Sequence, residues 1–356
     1  MKQTYYESEY NRDLLQSMGP IDPQAFQLEK QDHHEEQEAI HGESLNFLQD
    51  SWRRLRQNKG AMISLFVVIL IVLAALFAPQ LAPADPYAQN PAHANLPPKI
   101  PGLESIPLFN GLAENRGGRV YDAYQQANVP SDTYYYLGTD SLGRDLLSRI
   151  LYGTRISLLV AFIAVLINLV FGILYGSISG WMGGKVDTFM QRVLEIMSGV
   201  PNLVIVVLML LVLKPGITSI IITIALTSWI TMSRVVRAQT LRLKNQEYVL
   251  AARVLGQHPV KIMTQHILPN MVGIIIVQMM FALPSAIFFE AFLSFIGIGI
   301  PAPAASLGTL INDGYQTFRF LPHLMWYPAA VISILMLSFN LLADGLRDAF
   351  DPRTEE

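Results

Sequence analysis

Six stretches of this chain are too apolar and too long to serve as the surface, or even the ordinary core, of a water-soluble domain. A helix needs about 20 apolar residues to cross the hydrocarbon of a bilayer, where it satisfies its own backbone. The runs Ala61 to Ala78, Ile156 to Gly180, Val193 to Leu213, Ile217 to Met232, Met271 to Ile298 and Met325 to Leu342 reach or approach that length. The fourth is the shortest. Lys214-Pro215-Gly216, between it and the third, suits a tight hairpin, and a re-entrant or buried soluble helix is the other reading of so short a run. The expected class is an all-α integral membrane protein with six transmembrane helices. The composition agrees: 51% of residues are hydrophobic and 15% charged, against about 25% charged in soluble domains.

Orientation follows from Lys and Arg near the ends of the runs. Arg53, Arg54, Arg56 and Lys59 precede the first run, and Lys185 and Arg192 lie between the second and third. Arg234, Arg237, Arg242, Lys244, Arg253 and Lys261 lie between the fourth and fifth, and Arg347 and Arg353 follow the sixth. With alternating spans these four segments share one side, so that side is expected to be the cytoplasm, with both termini there. A stretch of about 60 mostly polar residues ahead of the first run does not fit a cleavable signal peptide, so that run is expected to be an uncleaved anchor. Net charge is only −3, which does not favour a nucleic-acid partner, and the absence of cysteine excludes disulfides and thiolate chemistry.

Changes of composition divide the chain. Residues 1–50 are an acidic cytoplasmic arm, 51–78 a juxtamembrane helix with the first span, and 79–150 an extracytoplasmic loop. Residues 151–346 are a transmembrane core with a cytoplasmic loop at 233–270, and 347–356 are a tail. In the arm, His33, His34 and His41 lie among Glu35, Glu36 and Glu38. The helical zinc pattern HExxH is not formed, so a solvated acidic arm is expected rather than a metal site. Leu45, Leu48, Trp52 and Leu55 recur at helical spacing beside Arg53 and Arg54, as in a helix lying along the inner membrane surface. The stretch from Pro79 to Tyr136 is rich in Pro, Asn and Gly, and its weak apolar periodicity allows at most a small cap. No G-x-x-x-x-G-K-[ST] phosphate loop occurs, so the chain carries no ATPase of its own.

Polar groups within the runs are expensive and point to function. Glu290 is expected in the outer half of its span, lining a pathway, pairing with an outer arginine, or reaching to the interface. Asn168 and Asn340 either stitch helices together or touch solute. Pro201 and Pro284 are expected to kink their spans. At the head of the second run, Asp140 and Asp145 can cap or pair with Arg144, Arg149 and Arg155. This cluster reads either as a docking face for a solute receptor or as a salt-bridged interfacial helix.

The basic segment from Glu247 to Asn270 reads EYVLAARVLGQHPVKIMTQHILPN. Taken alone it is a helix, a glycine break and a second helix, an elbow fit to press into a groove. Ala251, Ala252, Gly256, Leu268 and Pro269 fall on the positions of the EAA loop of ABC-transporter permeases, which the segment resembles. Leu250 and His266 replace that pattern's glutamate and isoleucine, and H-x-L-P-N is common in the peptide and nickel branch. The string LGTDSLGRDLLSR (137–149) and Asp344-Gly345-Leu346-Arg347-Asp348 near the end extend the resemblance, which covers nearly the whole chain from Leu45 to Arg353. It points to the C-type permease subunit of the oligopeptide and dipeptide importer family, with a six-span type I importer (MetI-like) fold.

The resemblance implies a transport subunit and not an enzyme. Its implied partners are a second homologous permease, two ABC ATPases that use ATP and Mg, and an extracytoplasmic peptide-binding protein. No cofactor or metal on this chain is implied. It also implies ATPase coupling through Ala251, Ala252, Gly256, His266, Leu268 and Pro269, braced by Asp187 and Arg192, which match a D-x4-R pattern. Dipeptides or nickel remain alternative solutes. An ion-coupled secondary transporter is the more distant reading, since among midplane carboxylates only Glu290 qualifies and no inverted repeat is evident.

Overall fold

The computed structural model describes residues 47–114, 118–214 and 216–350. The acidic arm with His33, His34 and His41, the turn residue Pro215, and the terminal Asp351-Pro352-Arg353 lie outside the described residues. From Phe47 onward the chain forms one compact unit.

Ten helices carry the architecture. They are α1 (Phe47–Gln57), α2 (Lys59–Leu76), α3 (Leu146–Met182), α4 (Gly184–Gly199), α5 (Asn202–Val212), α6 (Ile217–Leu243), α7 (Glu247–Val254), α8 (Val272–Phe295), α9 (Leu307–Gln316) and α10 (His323–Phe350). Among the described residues, α2, α3, α6, α8 and α10 are long and apolar enough to cross a membrane. The sixth expected crossing, Val193 to Leu213, is not one straight helix. It is the pair α4 and α5, bent by 81° at Val200-Pro201. Proline has no N–H to donate and disfavours helical backbone in the residue before it. Val200 is accordingly extended, at φ −88 and ψ 125. Pro201 therefore breaks its span where a kink was expected. Pro284, by contrast, sits inside the continuous helix α8.

Three helices are longer than their apolar runs. α3 starts at Leu146, ten residues before Ile156, because the Asp145 carboxylate accepts from Ser148 N at 2.7 Å and caps it. α6 continues past Met232 through Arg234, Arg237 and Arg242, so much of the expected loop 233–270 is helix. α10 likewise runs through Arg347 to Phe350, across the boundary expected at 346.

α3 and α6 form the closest helix pair. Gly172, Gly176 and Gly180, four residues apart, face Met232, Ser233, Val236 and Thr240, and a Cβ on any of the three would overlap those atoms. Lipid is as apolar as leucine, so such pairs are held by close packing rather than by hydrophobic sorting. At the mid-level of the bundle Val160, Ala164, Ile224, Ile287 and Leu335 interlock. α1 is amphipathic as expected: Leu55 is buried with Ala61 and Ala349 against the end of α10, while Arg56 lies over Trp52 at 5.0 Å.

The stretch after α2 forms a small cap. Strands β1 (Leu112–Glu114) and β2 (Val120–Asp122) pair antiparallel with Ala113 opposite Tyr121, and Leu96, Ala123 and Tyr124 are its buried centre. The Tyr124 hydroxyl donates to the Pro97 carbonyl at 3.0 Å, and burial pushes its pKa up.

Candidate functional site

Three groups of side chains stand out: an elbow between α6 and α8, a brace beneath it, and a cleft inside the bundle. In the elbow, α7 ends in a Schellman turn, with Gly256 N donating to Arg253 O at 2.9 Å and Gln257 N to Ala252 O at 3.1 Å. Gly256 has φ +75, a conformation that disfavours any side chain with a Cβ. The return path passes through the turn Pro259–Ile262, a π segment Met263–Ile267 and Leu268–Asn270. The wider π turn ends at Ile267, two residues before Pro269, whose ring cannot fit the regular ladder. Val249, Ala252, Ile262 and Ile267 pack inward on Met232 and Val236.

The outward side of the elbow is apolar. Val254 is 88% exposed and Leu255 85%, with Val260 beside them. Ala251, Tyr248, Gln257 and His266 line an adjoining groove, in which His266 Nε2 and Gln257 Oε1 are 3.0 Å apart. Of the elbow residues singled out from sequence, Ala251, Gly256 and Pro269 are exposed, His266 and Leu268 are half-buried, and Ala252 is buried.

The brace differs from expectation. Asp187 on α4 takes a two-pronged pair from Arg237 on α6, Nε to Oδ1 at 2.5 Å and Nη2 to Oδ2 at 2.6 Å, and also accepts from Ser179 Oγ on α3 at 2.5 Å. Lys244 Nζ donates to the Gly180 carbonyl at 2.7 Å. Arg192 takes no part. Five residues along a helix point to a different face, and Arg192 is exposed and paired with Glu195 at 2.7 Å. The sequence reasoning missed Arg237, and only its position among the basic residues after Met232 hinted at it.

At the opposite end of α3, the residues read as a receptor-facing surface are interior. Asp140, Arg144 and Asp145 are all buried. Asp140 Oδ2 accepts from Arg144 Nε at 2.7 Å and from Arg149 Nη1 at 2.5 Å, and Arg149 reaches Asp313 on α9 at 3.5 Å. Burial pushes the Asp145 carboxyl above the usual carboxylate range, against the pull of the Ser148 hydrogen bonds. These groups tie the chain before α3 to α9.

Glu290 is also enclosed. Its carboxylate accepts from Ser157 Oγ at 2.8 Å and Ser294 Oγ at 2.7 Å, with Ser306 as a third partner. Among the described residues it pairs with no arginine, and it does not line the cleft. Through these serines it joins α3, α8 and the start of α9.

The cleft of about 530 Å³ lies among α3, α5, α6, α8 and α10. That volume is within the range of about 300–1,000 Å³ typical of small-ligand sites. Asn168 and Asn340, named from sequence, both line it. Gln278, Ser228 and Asn202, not singled out from sequence, line it too. Gln278 was legible as a polar residue within an apolar run. Asn202 is the first residue of α5, immediately after the bend at Pro201.

The profile of a family described as "Binding-protein-dependent transport system inner membrane component" matches residues 172–356. A second, the "N-terminal TM domain of oligopeptide transport permease C", matches residues 46–98. The chain is 46% identical over 326 residues to the dipeptide transport system permease protein DppC of Lactococcus lactis subsp. cremoris, covering 90% of this chain and 94% of that one. It is 40% identical over 316 residues to the oligopeptide transport system permease protein OppC of Bacillus subtilis, covering 89% and 93%. Among solved structures, the inward-facing MetNI methionine ABC transporter aligns with a TM-score of 0.49 at 17% identity, covering 58% of this chain and 98% of that one.

Proposed function

The chain belongs to the family of binding-protein-dependent transport system inner membrane components, and from that membership we propose that it is the C-type permease subunit of an ATP-driven peptide importer. It is a multi-pass membrane protein and a transport component rather than an enzyme. It forms half of a translocation pathway with a second, homologous permease. Two ABC ATPases, which use ATP and Mg, dock on the elbow side, and an extracytoplasmic binding protein delivers the peptide. The elbow side and both termini are cytoplasmic, supported by the Lys and Arg asymmetry of the segments between spans.

The observation that carries the coupling role is the outward face of the elbow. A chain acting alone has no reason to hold Val254 and Leu255 almost fully in water at the tip of a rigid turn. A groove on an ATPase would cover them. The brace from Asp187 to Arg237 would then pass the motion of the docked ATPase to α3 and α6 as rigid bodies. Relatives bear both dipeptide and oligopeptide names, which supports a peptide solute of a few residues.

Reconstitution of the full complex in liposomes tests the reading. Peptide uptake and peptide-stimulated ATP hydrolysis are expected with all partners, and no hydrolysis by this chain alone. Gly256→Asp, which strains the turn and adds charge at the tip, should abolish uptake while the chain still reaches the membrane. Normal uptake in that variant would remove the elbow from the coupling path. Uptake of nickel but of no peptide would overturn the solute assignment.

A further inference from the structure

Among the described residues, the cleft described above contains two buried polar atoms with no hydrogen-bond partner. Asn168, on α3, is only 5% exposed, and its Oδ1 accepts no hydrogen bond. Ser228 Oγ, on α6, is likewise buried and unpaired. Both residues line the cleft, with Asn340 and Gln278 on two further helices. Buried amide and hydroxyl groups in proteins nearly always have partners, because an unmade bond costs much of the group's solvation. None of the residues lining the cleft is Asp, Glu, Lys, Arg or His. Its apolar surface comes from residues such as Phe281, Phe288 and Phe289.

We infer that Asn168, with Ser228, Gln278 and Asn340, forms an uncharged hydrogen-bonding subsite for the main-chain amides of the peptide in transit. This deepens the peptide reading above and rests on it. A peptide bond offers one N–H and one C=O whatever its side chains. An asparagine oxygen can take the N–H, and hydroxyl or amide groups can serve the C=O. A wall without charge gives a cationic or anionic side chain no favoured partner, so passage is tolerant of sequence. The same wall lacks the imidazole, thiolate or carboxylate donors that a transition-metal ion would require.

The test uses the complete transporter in liposomes and three alanine-based tripeptides with a central alanine, lysine or glutamate. Selectivity of the binding protein cancels when variants share one receptor. Asn168→Leu should lower uptake of all three by a similar factor, about tenfold, with the ATPases still bound. Asn168→Asp should raise the lysine-to-glutamate uptake ratio several-fold, a readout that a merely structural role would not move. Asn340→Asp, on α10, should shift the ratio in the same direction and decides the matter if the first variant fails to assemble. An unchanged ratio in the assembled variants overturns the subsite while leaving peptide import intact. Failure of the wild-type complex to take up any of the three peptides overturns the peptide reading itself, and the subsite with it.

Discussion

Asp187 and Arg192 looked like two halves of one device when read along the chain. The folded protein separates them, because residues five apart on a helix face different neighbours. Asp187 joins three helices through Arg237 and Ser179, whereas Arg192 sits in solvent beside Glu195. Asp187→Ala should therefore destabilise the chain by about 2 kcal/mol, since it leaves the Arg237 guanidinium without its carboxylate. Arg192→Ala should stay within about 0.5 kcal/mol of wild type, as exposed pairs usually do. Thermal unfolding of the two variants in detergent, followed by intrinsic fluorescence, compares them directly. Equal losses would mean that the Asp187 pair contributes no more than a surface contact. Glu290 teaches the same lesson. Its cost in a membrane was legible, but the serines that satisfy it lie on α3, on α8 and just before α9, and no spacing along the chain brings them together.

At the scale of elements, most helices could be read from apolar length alone, and their ends could not. Where a helix stops depends on caps and on what its charged ends meet. Asp145 starts α3 ten residues early, and the buried Asp140 carboxylate that pairs with Arg149 makes that extension tolerable. The bend at Pro201 was half-legible: proline marked the place, but its local chemistry does not say whether a helix kinks or breaks. The glycine spacing at 172, 176 and 180 was open to view and marks the contact between α3 and α6. Gly176→Val places carbon where the Ser233 carbonyl and Val236 side chain already lie. It should cost at least about 2 kcal/mol and separate the two helices. The yield of monodisperse protein on size exclusion, and its melting temperature, report the effect. Gly216, whose Cβ would meet nothing, is the control, and its substitution by alanine should leave both readings near wild type.

The whole molecule has two unlike ends. One carries the cap with its short hairpin and the Asp140–Arg149 network, and the other carries the elbow, the brace and α1. The proposed orientation puts the cap outside the cell. A chain without native cysteine allows a clean check. Ser105→Cys in the cap and Thr264→Cys in the elbow both replace exposed residues. A membrane-impermeant maleimide applied to intact cells should label the first and spare the second until the membrane is opened. The reverse pattern would invert the topology and detach the elbow from any cytoplasmic ATPase.

By itself the amino-acid sequence determined the medium, the number of apolar segments and their expected direction. Each of these depends on length, hydropathy and charge counted along one segment at a time. It also marked the elbow, whose glycine and proline act on the backbone within a few residues of themselves. Only the tertiary structure decided which polar residues meet. It enclosed Glu290, Asp140 and Arg144, and it gave Asp187 to Arg237. It gathered Asn168, Ser228, Gln278 and Asn340 around one cleft. Such contacts join helices far apart in the chain. They are set by how closely backbones approach at the glycines of α3 and by the angle at which α5 leaves α4, and neither quantity is a property of any single segment.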